Sequence, residues 1–166
     1  MNATRILIAQ HRAIESLFAE VDRETRPQAR ARAASRLTEE LIAHMTGEEG
    51  IFYPAARRAL DDRGIDDHFM LRAQLRRFLA TNVREPSFQP RFEALRLLFS
   101  HHVREEESEL FPRVEAVIAG PQLDALGVEV MGARPPIWVV TTETHALLHS
   151  SNAALHGVQL PSLHQN

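Results

Sequence analysis

From Ala3 to about Thr25 the residues Leu7, His11, Ile14, Phe18 and Val21 recur at intervals of three and four with polar residues between them, the pattern of a helix with one buried face. Arg26-Pro27 closes this run. A second stretch, from about Pro27 to Leu60, carries Leu37, Leu41, His44, Glu48 and Phe52 along its stripe, and Arg63-Gly64 interrupts it. A third begins near Asp66 or Asp67, either suited to cap a helix, places His68, Leu71, Leu75 and Phe78 on one side, and ends at Glu85-Pro86. The fourth runs from about Pro90 through Leu95, Phe99, His102, Glu106, Leu110 and Val117 to Gly120-Pro121. Four helices of similar length with short connections predict an all-α, antiparallel up-down four-helix bundle over residues 1–120.

Residues 121–166 follow a different pattern. A turn-rich GARPP, the apolar IWVV and then TETHALLHSSNAALHG, which Gly157 is able to end, predict a C-terminal tail with one short helix. Trp138 is its expected anchor on the bundle, and its last residues are expected to be disordered.

The stripes also repeat. His11-x2-Ile14-x3-Phe18-x2-Val21 matches His68-x2-Leu71-x3-Leu75-x2-Phe78 position for position. HMTGEEGIFYP from His44 aligns without a gap on HVREEESELFP from His102, both reading H-x3-E-E-x4-P. A helical hairpin duplicated about a pseudo-two-fold axis accounts for both matches.

This duplication puts chemistry on the buried face. Residues four apart on a helix lie one above the other, so His44 with Glu48, and His102 with Glu106, each present an imidazole and a carboxylate to one place. With His11 and His68 they make six polar groups on otherwise apolar stripes. Burying four imidazoles and two carboxylates without partners costs several kcal/mol for each ionised group. Metal ions compensate such a set, because imidazole and carboxylate suit iron and a carboxylate is able to bridge two ions. The symmetric division gives one ion His11 and His44, the other His68 and His102, with Glu48 and Glu106 bridging. Iron prefers more ligands than this supplies, so oxo, hydroxo, water or a small ligand is expected to complete each ion. Manganese or zinc suits the same residues.

The chain's overall character agrees. It has no cysteine, which excludes disulfides, thiolate catalysis, iron-sulfur clusters and thiolate-bound zinc. A formal charge of −3, with every basic residue an arginine, gives no overall indication of a nucleic-acid or membrane partner. No apolar run approaches the roughly 20 residues of a membrane-spanning helix, and no signal-peptide pattern opens the chain, so a cytoplasmic location is expected. The E-x-x-H pairs of ferritin-like bundles are absent, as are H-E-x-x-H, the phosphate-binding G-x-x-x-x-G-K-[ST] loop and the G-x-S-x-G elbow.

With its H…H-x3-E…H…H-x3-E pattern and trailing E-x4-P, the chain resembles the hemerythrin-like HHE cation-binding family over roughly residues 3–120. The resemblance implies a non-haem diiron centre that binds or reacts with dioxygen, peroxide or nitric oxide, or that senses iron and oxygen. The oxygen-carrying members have a second histidine one turn from the first on the third helix. Here the positions one turn before and after His68 are Gly64 and Arg72, so the chain is similar to the four-histidine, two-glutamate variant. The expected function is reaction with a small oxidant, with catalase-like decomposition of hydrogen peroxide as one form. The alternative is a non-enzymatic module that binds or senses oxygen, nitric oxide or iron.

Several neighbouring residues have two readings. His101 with Glu105 also has H-x3-E spacing, but only His102 and Glu106 align with His44 and Glu48 against Pro54 and Pro112. Glu49 and Glu107 project about 100° away from the ligand face. Solvated charge is the ordinary reading for them, and accepting the far N–H of a ligand histidine the functional one. Tyr53, matched by Phe111 in the other half, is a packing residue or a phenol that donates to, or ligates, the centre. His145, His149 and His156 share a face that is polar surface or a metal-capturing patch.

Overall fold

The computed structural model describes residues 2–57 and 63–133, with the backbone alone for residues 63–67. Five helices and no strand occur among the described residues. Helix α1 is Ala3–Arg23, and the Asn2 side chain caps it by accepting from the Thr4 N–H at 2.8 Å. Helix α2 starts at Pro27, whose missing N–H costs nothing in a first turn. It runs Pro27–Gly47, passes through one wide π turn, Glu48–Phe52, and resumes as Tyr53–Ala56. Helix α3 is Arg63–Leu79; α4 is Phe88–Glu105 with a second wide turn, Glu106–Leu110, and the continuation Phe111–Val117. Helix α5 is Gly120–Gly132.

The wide turns explain the prolines in the repeated motif. A proline inside an α-helix has no N–H to give and collides with the carbonyl four residues back. The ladder opens just before Pro54 and Pro112: the Tyr53 N–H reaches the Glu48 carbonyl and the Phe111 N–H the Glu106 carbonyl, each five residues back. Residues five apart stand about 140° from each other on an α-helix at about 100° per residue. Across a π turn they share a face. The turn therefore brings Tyr53 in beneath Glu48, and Phe111 in beneath Glu106.

Three boundaries differ from the sequence expectation. Helix α3 includes Arg63 and Gly64 among the described residues, so Arg63-Gly64 does not interrupt it and Asp66 and Asp67 lie inside it rather than at its cap. It ends at Leu79, before Glu85-Pro86, because Thr81 bonds back to Phe78 and the Asn82 N–H turns to the Glu85 carboxylate. Gly120-Pro121 begins a helix instead of ending one: Pro121 occupies the first turn of α5, where the Leu123 N–H bonds back to the extended Ala119. Helix α5 buries Leu123, Gly127 and Val130 against α1 and the wide turn of α2. Trp138, the tail helix and His145, His149 and His156 lie outside the described residues.

Two apolar clusters fill the molecule. One contains Ile14, Phe18, Leu37, Leu41, Leu71, Leu75, Phe78, Phe92, Leu95 and Phe99; the other contains Leu7, Phe52, Tyr53, Phe111, Val114, Leu123 and Val130. His11 stands between Leu7 of the second cluster and Ile14 of the first, and His102 likewise between Phe99 and Leu110. The polar layer is thus sealed on both sides. No described helix is long and apolar enough to cross a membrane.

Phe92 lies at the heart of the first cluster, fully buried against the rings of Phe18, Phe78 and Phe88. Phe92→Ala is expected to lower stability by about 3–5 kcal/mol. A shifted urea midpoint with unchanged helical circular dichroism in native buffer would register it.

Candidate metal centre

All six residues singled out by their spacing are buried, none more than 2% exposed: His11 from α1, His44 and Glu48 from α2, His68 from α3, and His102 and Glu106 from α4. Five of them, His11, His44, Glu48, His102 and Glu106, offer ligand atoms that all lie within 4.8 Å of one another, a group able to hold a metal ion. His68 adjoins this group, its Nε2 being 3.1 Å from Glu48 Oε2 and 3.0 Å from the Tyr53 hydroxyl. His101 is exposed on the outside of α4. The register set by the prolines is the one that points inward.

Among the described residues, six buried side-chain atoms have no hydrogen-bond partner: Nε2 of His11, His44 and His102, both carboxylate oxygens of Glu48, and Oε2 of Glu106. Buried polar atoms are almost always satisfied. Here the unsatisfied ones face each other, with His11 Nε2 3.2 Å from Glu106 Oε2 and His44 Nε2 3.2 Å from Glu48 Oε2. They are lone-pair donors converging on one place, and a cation satisfies all of them together.

The outward nitrogens of His11, His44 and His68 are satisfied. His11 Nδ1 lies 2.9 Å from Glu107 Oε1, His44 Nδ1 3.0 Å from Gln10 Oε1, and His68 Nδ1 2.9 Å from Glu49 Oε1. An Nδ1–H donating to each acceptor fixes the ring so that its Nε2 faces the centre. Glu49 and Glu107 therefore realise the functional reading rather than that of solvated charge. Gln10 was not singled out by spacing. It neighbours His11 on α1, and only the packing of α1 against α2 shows where it reaches.

Burial and mutual contact pull the groups of this layer in opposite directions. Burial works to raise the Glu48 carboxyl, but the histidines gathered round it outweigh burial and hold Glu48 well below the ordinary range. Burial and then the Glu48 charge push Glu106 the other way. Burial lowers His44 to about 3, keeping it neutral. At His68 burial is overcome by Glu48 and Glu49, which raise it to about 9. Burial, then the charges of Glu48 and Glu106, raise Tyr53, so its phenol keeps its proton and donates to Glu106 Oε1 at 2.7 Å. Phe111, in the matching position, stacks on His11 with ring centres 5.9 Å apart. The two halves are alike in their inner groups and unlike here.

Comparison with known proteins gives the same picture. Residues 2–114 match the family model of the hemerythrin HHE cation binding domain. A crystal structure of an HHE cation binding domain-containing protein from Mycobacterium kansasii superposes with a TM-score of 0.73, covering 92% of this chain and 93% of that one at 22% identity, a likeness of fold. A protein named DNA nickase from Nostoc sp. is 25% identical over 141 residues, 82% of this chain. The chain spans only 40% of that relative's length. The match over residues 2–114, with which the buried layer of histidines and glutamates from four helices agrees, places this chain in the hemerythrin HHE cation-binding domain family.

Proposed function

We propose that the chain holds two non-haem iron ions and through them reacts with a small oxidant, hydrogen peroxide, dioxygen or nitric oxide, with catalase-like decomposition of peroxide as the concrete form. The observation that carries this reading is the set of six buried, unpartnered side-chain atoms facing one another. The ring spacings support the division into two positions: His11 and His44 have centres 4.8 Å apart, as do His68 and His102, while His11 and His102 stand at 5.9 Å. His11 and His44 would hold one ion, His68 and His102 the other, and Glu48 and Glu106 would be shared.

When bound, an iron pair supplies electrons one at a time and open positions for a small molecule. The protein's own residues do the rest. Glu107, Gln10 and Glu49 aim three imidazoles; the apolar clusters exclude water; Tyr53 keeps a hydroxyl proton at the edge of the centre, where it is placed to donate to a small ligand. Tyr53→Phe is expected to lower peroxide turnover about a hundredfold while leaving iron content at two per chain. Iron quantification beside initial rates of oxygen evolution separates those effects, and a variant as active as wild type would remove the phenol from the mechanism.

The test of the reading itself is metal analysis and absorption spectroscopy of iron-loaded protein, followed by addition of peroxide, oxygen and nitric oxide. Two irons per chain and a spectrum that responds to at least one of them are expected. A chain that retains no iron would end the proposal.

One observation favours the sensing alternative enough to test it. Helix α5 lies against the α2 wide turn, with Val130 and Ala133 side-chain atoms 3.6 Å from where a Cβ on Gly47, next to Glu48, would stand. A shift of Glu48 on metal or gas binding would reach α5 and the chain beyond it. Protease digestion that differs between metal-free and loaded protein supports this route; identical digestion removes it. The nicking activity named for the Nostoc relative is not carried over, since this chain spans 40% of that protein.

A further inference from the structure

The outer edge of the centre holds a feature present in both halves and built differently in each. Glu107, which accepts from His11, also meets an arginine: its Oε2 lies 2.5 Å from the Arg12 guanidinium. Glu49, which accepts from His68, meets Arg72 through two parallel bonds, Nε to Oε1 at 2.9 Å and the terminal nitrogen to Oε2 at 2.7 Å. Each half thus runs arginine, glutamate, histidine from the surface to the centre.

The duplication does not explain this. In the alignment of His11 with His68, position 12 pairs with Phe69 and position 72 with Glu15. The arginine follows its histidine directly in the first half and comes one helical turn later in the second. The two halves reach the same contact from non-equivalent positions, as expected if the contact itself matters rather than being copied with the hairpin. Arg72 stands one turn after His68. Here that position supports the existing ligand from outside.

We infer that Arg12 and Arg72 are positioning residues for the metal centre, each acting through one glutamate on one histidine, and that their unequal grip makes the two cation positions unequal. A carboxylate on the far N–H of a histidine ligand fixes the ring and raises its basicity. A guanidinium bound to that carboxylate fixes its plane in turn, and two parallel bonds do so better than one. Arg72 gives Glu49 both bonds. Arg12 gives Glu107 one and shares its other terminal nitrogen with Glu15, at 3.1 and 3.2 Å. Such partly exposed ion pairs add little to folding, so removing them leaves the fold intact and exposes the positioning role.

This inference rests on the two-cation reading, and the experiment separates their failures. Metal-free wild-type protein is titrated with cobalt(II) by calorimetry and visible absorption, beside Arg72→Ala, Arg72→Lys, Arg12→Ala and Glu49→Gln, with thermal unfolding of each metal-free variant as the folding control. Wild type is expected to bind two cobalt ions in two steps. Arg72→Ala is expected to weaken one step by about tenfold to a hundredfold, with Arg72→Lys little better because it lacks the planar fork. Arg12→Ala should weaken the other step, and by less. Adding Arg72→Ala to Glu49→Gln should change nothing further, because arginine acts only through that carboxylate. If wild type binds two ions and Arg72→Ala leaves both steps unchanged, or weakens both equally, the inference falls and the metal centre stands. A wild-type chain that binds none removes both.

Discussion

On the proposed two-iron reading, His44→Ala is expected to cut the iron retained per chain from two to one or none and to abolish oxygen evolution from peroxide, while His101→Ala, next to His102 but on the outer surface, changes neither. His44 is 2% exposed and kept neutral by burial, its Nδ1 is held by Gln10, and its unpartnered Nε2 faces the centre. It enters the site in the protonation state a metal requires, with its direction already set. Loss of an outer partner of a ligand typically costs 10–100-fold in metal affinity; loss of the ligand itself exceeds that. The replacement also leaves a hole beside Glu48, among the rings of His11, Phe99 and His102 that now pack on His44. Elemental analysis after desalting, with peroxide turnover on the same samples, reads both effects. Equal iron in His44→Ala and wild type would place the metal, if any, elsewhere.

The inward residues were legible in the sequence for a definite reason. A helical period places them on the buried face, the duplication supplies each reading twice, and Pro54 and Pro112 fix the register against His101 and Glu105. The same prolines carry a second signal, the wide turn that brings Tyr53 under Glu48, but a proline in sequence looks the same whether a helix ends or widens. Helix α5 was not legible because its outer side is also apolar, with Val128 and Met131 more than half exposed, so no alternation marks it. Gln10, Arg12 and Arg72 are polar residues on helix flanks. Nothing local distinguishes such a residue facing water from one reaching across to the neighbouring helix, and in each case here the partner lies on a different helix. For the same reason Glu49 and Glu107 read first as solvated charge.

Glu106→Gln is expected to reverse the order of stability between two states of the protein. Without metal, the buried Glu106 carboxyl faces the Glu48 charge and is pushed toward its protonated form by burial and by that repulsion, a cost the folded chain carries. Glutamine is close to the same size and uncharged. Its oxygen can keep the 2.7 Å bond from the Tyr53 hydroxyl, and its amide can donate to His11 Nε2, 3.2 Å from the present Oε2. Glutamine removes the repulsion between two buried carboxylates that raises Glu106, so metal-free Glu106→Gln should melt above metal-free wild type. With metal the comparison turns over. A cation at a thousandfold excess over its dissociation constant adds about 4 kcal/mol to whatever binds it, roughly 8–16 °C in a chain of this size. The variant, having lost a shared carboxylate, should gain little. Thermal unfolding of both proteins in chelator and then in excess iron(II) without oxygen gives the four midpoints. If wild type melted higher under both conditions, the two carboxylates would cost the metal-free fold nothing, and a cation would no longer be needed to explain why they are buried together.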